Sequence, residues 1–281
     1  MTPLPPNDPN RRVEADSGER ARGAADELSR VNGPLELQAA VLALLLPEGS
    51  RRALRAWQIE CEATPNAQAL REHVSHLPGA ARLPWFDVLL ARLRHRPLAT
   101  RQAMLEATRR LMGARGVVRP LDRLHWLAMR RRLGEELAVS APSGAGTSVS
   151  QLPQSDVWAI AVFTAFLSRL VPVEVAATDD GTGAGAAWYA SAMAPWAQQA
   201  PIPPADVPDT EGVMHALSAL QALAWMQRPV LVRGWVVAAL QHSRYGRLAD
   251  SAADALRLTC ALLDSPFPPE LARHFGVHER G

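Results

Sequence analysis

The chain has 281 residues, 48% of them hydrophobic, which is enough to bury one large core or two ordinary ones. All 30 of its basic residues are arginine, so a lysine nucleophile, a Schiff base and a phosphate-loop lysine are excluded. The net charge is only +2 but is uneven. Twelve arginines and two acids between Arg92 and Arg132 give +10, whereas two arginines and seven acids in residues 141–228 give −5. Such an uneven charge distribution affects which molecules the protein attracts, and it does not determine the fold.

The two cysteines, Cys61 and Cys260, are too few for a disulfide framework, so the sequence favours a reducing compartment. We expect them to be buried small hydrophobic residues rather than reactive thiols. The opening residues are polar and proline-rich, unlike a signal peptide. The longest apolar stretch, residues 157–167, is shorter than the roughly 20 residues that a membrane span needs. We therefore expect a cytoplasmic protein, with peripheral association with the inner membrane as an open alternative.

The N-terminal part of the chain divides into a tail and a helical region. Residues 1–33 contain many proline, arginine, acidic and glycine residues and almost no large apolar ones, which predicts a disordered tail. Helical periodicity begins at Leu35, and residues 34–139 are predicted to form a first helical unit. Within it, Ser50 is placed to cap the helix that follows.

Residues 98–137 are the segment around which we interpret the rest. Apolar residues at spacings of three and four predict an amphipathic helix up to Gly116, which supplies a turn. Pro120 then stands at the first position of a second helix, where proline is tolerated. This second helix has two apolar edges, so we expect neighbours on both sides.

The C-terminal half begins after residues 140–155, which have the composition of a linker. Residues 156–281 are predicted to form a second helical unit, with Asp209 or Thr210 as one of its helix caps. The glycine-rich residues 181–186 are similar to a dinucleotide-binding loop. No strand–helix–strand pattern follows them and two aspartates precede them, so we expect a flexible loop.

A weak internal repeat relates the two halves. When the sequence is shifted by 130 residues, Gly116 aligns with Gly246, and Val118 aligns with Leu248. Both copies have the pattern of a helix, a glycine turn and a second helix, which indicates two related helical units. The predicted fold class is therefore all-α.

Four segments give the sequence a resemblance to a known family. They are ALLL at 43–46 with RAWQ at 55–58, RLPWFDVLLARLRHRPLATRQ at 82–102, LMGARGVVRPLDRLHW at 111–126, and YGRLADSAADALRLTCALLDSPFPPEL at 245–271. In this order and spacing they resemble the cytosolic C-terminal region of bacterial membrane-anchored HtpX-like zinc metalloproteases. That region is similar to TerB-like helical domains, so the resemblance implies two TerB-like bundle units.

The chain departs from this family where the family performs its chemistry. It contains no HExxH motif, whose two histidines hold zinc and whose glutamate activates water. TerB-like turns have an Asp before the glycine and an acid seven residues later, a pair suited to a divalent cation. In this chain those positions are Arg115 with Asp122, and Tyr245 with Ala252. We therefore expect no metal site, no cofactor and no catalytic residues.

Two pairs of residues that include histidine are candidate sites of chemistry. His73 and His76 share a helix face at a spacing that suits a metal, but no third ligand is evident, so surface positions are the preferred interpretation. Asp122 and His125 are three residues apart, but no serine or cysteine is suggested as a triad partner.

The most informative surface feature is the run of arginines. Its simplest interpretation is a solvated helix face; the alternatives are an anionic membrane surface and nucleic acid. We call the following residues the Arg-rich surface and predict that it steers an encounter with a partner: Arg94, Arg96, Arg101, Arg109, Arg110, Arg115, Arg119, Arg123, Arg130, Arg131 and Arg132.

Together these observations favour a non-catalytic interaction or regulatory module that docks onto a protein partner. The resemblance implies that the partner is a membrane protease or another membrane assembly. One alternative is a subunit or fragment of an HtpX-like zinc metalloprotease whose catalytic domain lies elsewhere. A second alternative is nucleic-acid binding through the Arg-rich surface.

Overall fold

The structure, a computed structural model, describes residues 9–134, 148–171, 182–198, 208–243 and 246–276. These residues form thirteen α-helices and two short 3₁₀ turns, and no strand is present among them. The all-α prediction is confirmed. None of the helices in these ranges is both long and apolar enough to span a membrane. The chain divides into two compact units, one ending at Val117 and the other beginning at Val118.

Unit 1 contains six helices, of which the second is central. They are α1 (Pro9–Arg30), α2 (Pro34–Leu44), α3 (Arg51–Glu60), α4 (Ala67–His76), α5 (Gly79–Arg94) and α6 (Leu98–Gly113). Helix α2 is central because it is apolar on nearly all sides and packs against α3, α4, α5 and α6. Its neighbour α3 is fixed to it by the Trp57 indole, whose Nε1–H donates to the Ala39 carbonyl at 3.1 Å.

Unit 2 contains seven helices and both 3₁₀ turns. The helices are α7 (Pro120–Leu133), α8 (Gln154–Leu167), α9 (Thr182–Met193), α10 (Thr210–Ala222), α11 (Gln227–Gln241), α12 (Asp250–Leu262) and α13 (Pro269–Gly276), and the turns are Val149–Gln151 and Ala194–Trp196. Helix α8 packs against α10, and α12 packs against α7, α11 and α13. Buried Trp235 joins α11 to α8. Its indole donates to the Thr164 hydroxyl at 3.0 Å, and its ring lies 5.9 Å from that of Phe163.

Local signals in the sequence place several helix ends correctly. The Ser50 hydroxyl accepts a hydrogen bond from the Ala53 amide at 3.3 Å, and the Asp209 carboxylate accepts one from the Gly212 amide at 2.7 Å. Gly116 and Gly246 have φ angles of +81° and +65°, and a helix begins four residues after each, at Pro120 and Asp250. Both predicted glycine turns are confirmed, whereas the repeat that relates them stays a prediction.

The prediction of a disordered tail over residues 1–33 is wrong for residues 9–30, which form α1. Ala24 and Leu28 are buried, and α1 packs against α4. The Arg92 guanidinium of α5 donates to the carbonyls of Leu28 and Val31 at 3.2 and 2.7 Å, so it joins the C-terminal end of α1 to α5. Composition alone missed this helix because a narrow stripe of apolar residues is enough to hold a helix in place when a neighbouring helix covers that stripe. Residues 1–8 lie outside the described residues.

Two further expectations differ from the structure. Residues 182–186, expected to be part of a flexible loop, form the first turns of α9, and Gly185 lies so close to the Ser168 carbonyl that an added Cβ would be 2.5 Å from it. The predicted first domain, 34–139, includes α7, whereas in the structure α7 belongs to unit 2, where it packs against α12. The first half of the predicted linker, 140–147, lies outside the described residues, and its second half contains the turn Val149–Gln151 and the start of α8.

Candidate functional site

The Arg-rich surface is divided between the two units. Arg94, Arg96, Arg101, Arg109, Arg110 and Arg115 belong to unit 1, and Arg119, Arg123, Arg130, Arg131 and Arg132 belong to unit 2. The sequence could not predict this division, because it depends on the helix that α7 packs against.

In unit 1, three arginines of this surface join neighbouring elements. Arg110 of α6 forms a bidentate ion pair with Glu60 at the end of α3, with N–O distances of 2.6 and 2.8 Å. The Arg96 guanidinium donates to the Asn32 carbonyl, and the Arg115 guanidinium donates to the Leu45 carbonyl beyond α2. Fork-shaped guanidinium groups suit such contacts because they donate several hydrogen bonds at once. These arginines therefore hold unit 1 together.

In unit 2, arginines of the same surface also make internal contacts. The Arg123 guanidinium lies 5.9 Å from the centre of the Phe166 ring on α8, and Arg131 forms an ion pair with Asp264 after α12. Arg94, Arg101, Arg109 and Arg132 take part in further polar or electrostatic interactions. At least five of the eleven arginines thus contact other parts of their own unit, and in Arg110 and Arg131 the positive charge is paired with an acid.

The positions that correspond to a cation site in TerB-like turns have other roles here. Asp122 is buried, and its carboxylate accepts a hydrogen bond from the Arg119 amide at 3.2 Å, which caps the start of α7. Arg115 is engaged with Leu45 as described, and Ala252 is buried in α12. Tyr245 lies outside the described residues. Among the described residues, no three His, Cys, Asp or Glu side chains are grouped as they would be around a metal.

The candidate histidines and the two cysteines occupy separate places in the fold. His73 and His76 lie in the last turn of α4, one half-buried and the other exposed. The His125 ring makes a 3.0 Å hydrogen bond with the Leu121 carbonyl of its own helix. Cys61 and Cys260 are both buried, as predicted, and burial raises the pKa of each thiol to about 12. At neutral pH both are protonated, so neither is the thiolate that nucleophilic chemistry requires.

The structure reveals an apolar surface that the sequence analysis missed. Trp225 and Met226, just before α11, are 73% and 60% exposed, and Val230 and Val237 on α11 are 58% and 37% exposed. Gly234 lies between the two valines, and a Cβ added there would meet nothing within 4 Å. We call these five residues the α11 apolar face. It was missed because the apolar residues of α11 are spread around the helix and do not form one stripe, so the sequence does not show which of them stay exposed.

Comparison with known proteins found no family model, no curated protein and no solved structure that matches this chain.

Proposed function

We propose that this protein is a non-catalytic helical docking module that binds a protein partner through the α11 apolar face. The observation on which the proposal rests is the exposure of Trp225, Met226 and Val230 in one short segment. Large exposed apolar patches on soluble units mark interaction sites, and tryptophan is enriched among the residues that dominate binding energy. Together with Val237, these exposed apolar side chains cost free energy that a partner would recover by covering them.

The shape of the α11 apolar face suits a partner helix. Met226, Val230, Gly234 and Val237 are spaced by three and four residues, so they form one stripe along α11. The absence of a side chain at Gly234 allows another backbone to approach closely at the middle of the stripe. A complementary amphipathic helix is therefore the kind of partner segment that we expect.

The resemblance to the TerB-like cytosolic region of HtpX-like zinc metalloproteases suggests which partner to look for. By that resemblance the partner is a membrane protease or another membrane-associated assembly. The alternative, that the chain is a subunit or fragment of such a protease, predicts that the crosslinked partner contains the zinc-binding HExxH motif. Nucleic-acid binding is less favoured because the Arg-rich surface is largely engaged in internal contacts.

Site-specific photo-crosslinking of the full chain in its host tests this proposal. A photoreactive amino acid replaces Val230 in the α11 apolar face or, as a control, Ser251, an exposed residue of the same unit. We expect one defined protein to be crosslinked from position 230 and not from position 251, and mass spectrometry to identify it. Recovery of nucleic acid instead, or equal crosslinking from both positions, would contradict the proposal.

A further inference from the structure

Helix α3 presents three arginines to solvent without a partner. Arg51, Arg52 and Arg55 are all exposed. Among the described residues none of the three has a hydrogen bond, an ion pair or a cation–π contact. This distinguishes them from members of the Arg-rich surface such as Arg110, Arg115 and Arg131, which contact other elements of their own unit. Ile59, which is 72% exposed, follows Arg55 by one helical turn and Arg52 by two, so the three side chains share one side of the helix. We call these four residues the basic face of α3.

The placement of these charges opposes the stability of the helix. Cations in the first turn interact unfavourably with the positive end of the helix dipole, and α3 has no acid there to compensate. Arg51 and Arg55 are also four residues apart, a spacing at which like charges repel. A local arrangement that costs stability without a compensating contact is typical of a functional surface.

The nearest acids in the sequence are engaged elsewhere. Glu48, before the helix, lies 3.7 Å from Arg82, and Glu60, in its last turn, forms the bidentate pair with Arg110. The basic face of α3 therefore keeps its positive charge.

The helix that presents this face is held firmly in unit 1. Ser50 caps its first turn, and Ala53 and Trp57 are buried on the opposite side. The Trp57 indole is hydrogen-bonded to α2, and Glu60 joins the end of α3 to α6. A rigid platform loses little entropy on binding, because only the arginine side chains need to be ordered.

We propose that the basic face of α3 binds an acidic segment of a protein partner, with carboxylates on the three arginines and an aliphatic side chain on Ile59. Guanidinium groups pair with carboxylates through two parallel hydrogen bonds. An anionic membrane is less suitable, since lipid-binding clusters contain roughly four to eight basic residues. Single-stranded nucleic acid is less suitable because the only aromatic side chain of α3, Trp57, is buried and cannot stack on a base. This surface belongs to unit 1, so the proposal does not depend on the α11 apolar face.

The test measures binding of the full chain to a short fluorescein-labelled peptide in which pairs of glutamates alternate with leucine. We expect saturable binding by fluorescence anisotropy that weakens as salt is raised, because exposed charges are screened. The triple variant R51E/R52E/R55E should lose about tenfold or more in affinity. Its melting temperature should stay the same or rise, because acids favour a helix N-terminus, and this separates lost binding from misfolding.

Matched variants define the outcomes. R130E/R247E/R273E makes the same change of charge at three other exposed arginines and should keep most of the affinity. Ile59→Ser should weaken binding without changing its dependence on salt. The proposal is overturned if the wild-type chain does not bind the peptide, or if both triple variants lose affinity equally. It is also overturned if vesicles containing phosphatidylserine, or single-stranded RNA, bind more tightly than the peptide and lose affinity through the α3 substitutions.

Discussion

Two threonines of unit 2 occupy the same kind of buried helical position but have different hydrogen bonds. Thr164 of α8 donates to the Ile160 carbonyl at 2.6 Å and also accepts the Trp235 indole N–H at 3.0 Å. Thr259 of α12 only donates to the Ala255 carbonyl, at 2.8 Å. Both side chains are fully buried. The pair therefore isolates the contribution of the indole hydrogen bond.

We predict that Thr164→Val destabilises the protein more than Thr259→Val. Valine has the shape of threonine but cannot accept the indole proton, and an unsatisfied buried donor costs about 1–3 kcal/mol. Thr259→Val removes only a bond to a carbonyl that its helix already uses, so its cost should be below about 1 kcal/mol. Urea unfolding followed by circular dichroism measures both. Equal losses in the free energy of unfolding would refute the role of Thr164.

The arginines show the limit of sequence reasoning for single residues. Composition identified the dense positive segment, but internal contacts neutralise or occupy much of it, as with Arg110 and Glu60. The unpartnered Arg51, Arg52 and Arg55 lie outside the dense positive segment, in a helix for which the sequence predicted a cap but no charged surface. Sequence alone could not separate the two groups, since the partners of Arg110 and Arg131, at Glu60 and Asp264, are distant in the chain.

At the scale of elements, helix ends followed local chemistry closely. Serine and aspartate caps, proline at first helical positions and glycine turns were all visible in the sequence, because each acts within a few residues. Gly116 provides a direct test, because its φ of +81° lies in a region that residues with a Cβ avoid.

We predict opposite effects for two glycine substitutions at the end of α6. Gly116→Ala should lower the free energy of unfolding by about 1 kcal/mol or more, because alanine is strained at positive φ. Gly113→Ala, in the last turn of the helix, should raise it by about 0.4–1 kcal/mol, because alanine restricts the unfolded chain. An added methyl group meets nothing within 4 Å at either site, so the two substitutions differ in backbone conformation and not in packing. Thermal unfolding gives the sign of each change, and the same sign for both would contradict the argument.

The prediction failed for α1 and α7 for a shared reason. Both depend on contacts with helices that are remote in sequence: α1 with α4, and α7 with α12. The buried residues of α1, such as Ala24 and Leu28, are too sparse to form a clear pattern. The two apolar edges of α7 correctly suggested neighbours, but an apolar edge does not specify which helix covers it.

At the scale of the molecule, the assignment of α7 can be tested with fragments. We predict that residues 1–117 alone give a helical fragment that unfolds cooperatively. Residues 1–139, which follow the boundary expected from the sequence, should bind more of a hydrophobic dye and aggregate sooner. The reason is that Leu124, Met129 and Leu133 are buried in the whole chain and would lose α12 as a cover. If residues 1–139 instead bound less dye and aggregated later than residues 1–117, α7 would stabilise unit 1.

The sequence by itself determined the all-α class, the helix caps and the glycine turns, because these arise from interactions over a few residues. Only the tertiary structure decided which helices pack together, which arginines stay unpartnered and which apolar stripe remains in solvent. Periodicity identifies the apolar side of a helix, but burial requires a neighbour, and neighbours such as α7 and α12 are more than a hundred residues apart in the chain. The α11 apolar face and the basic face of α3 therefore became visible only in the structure.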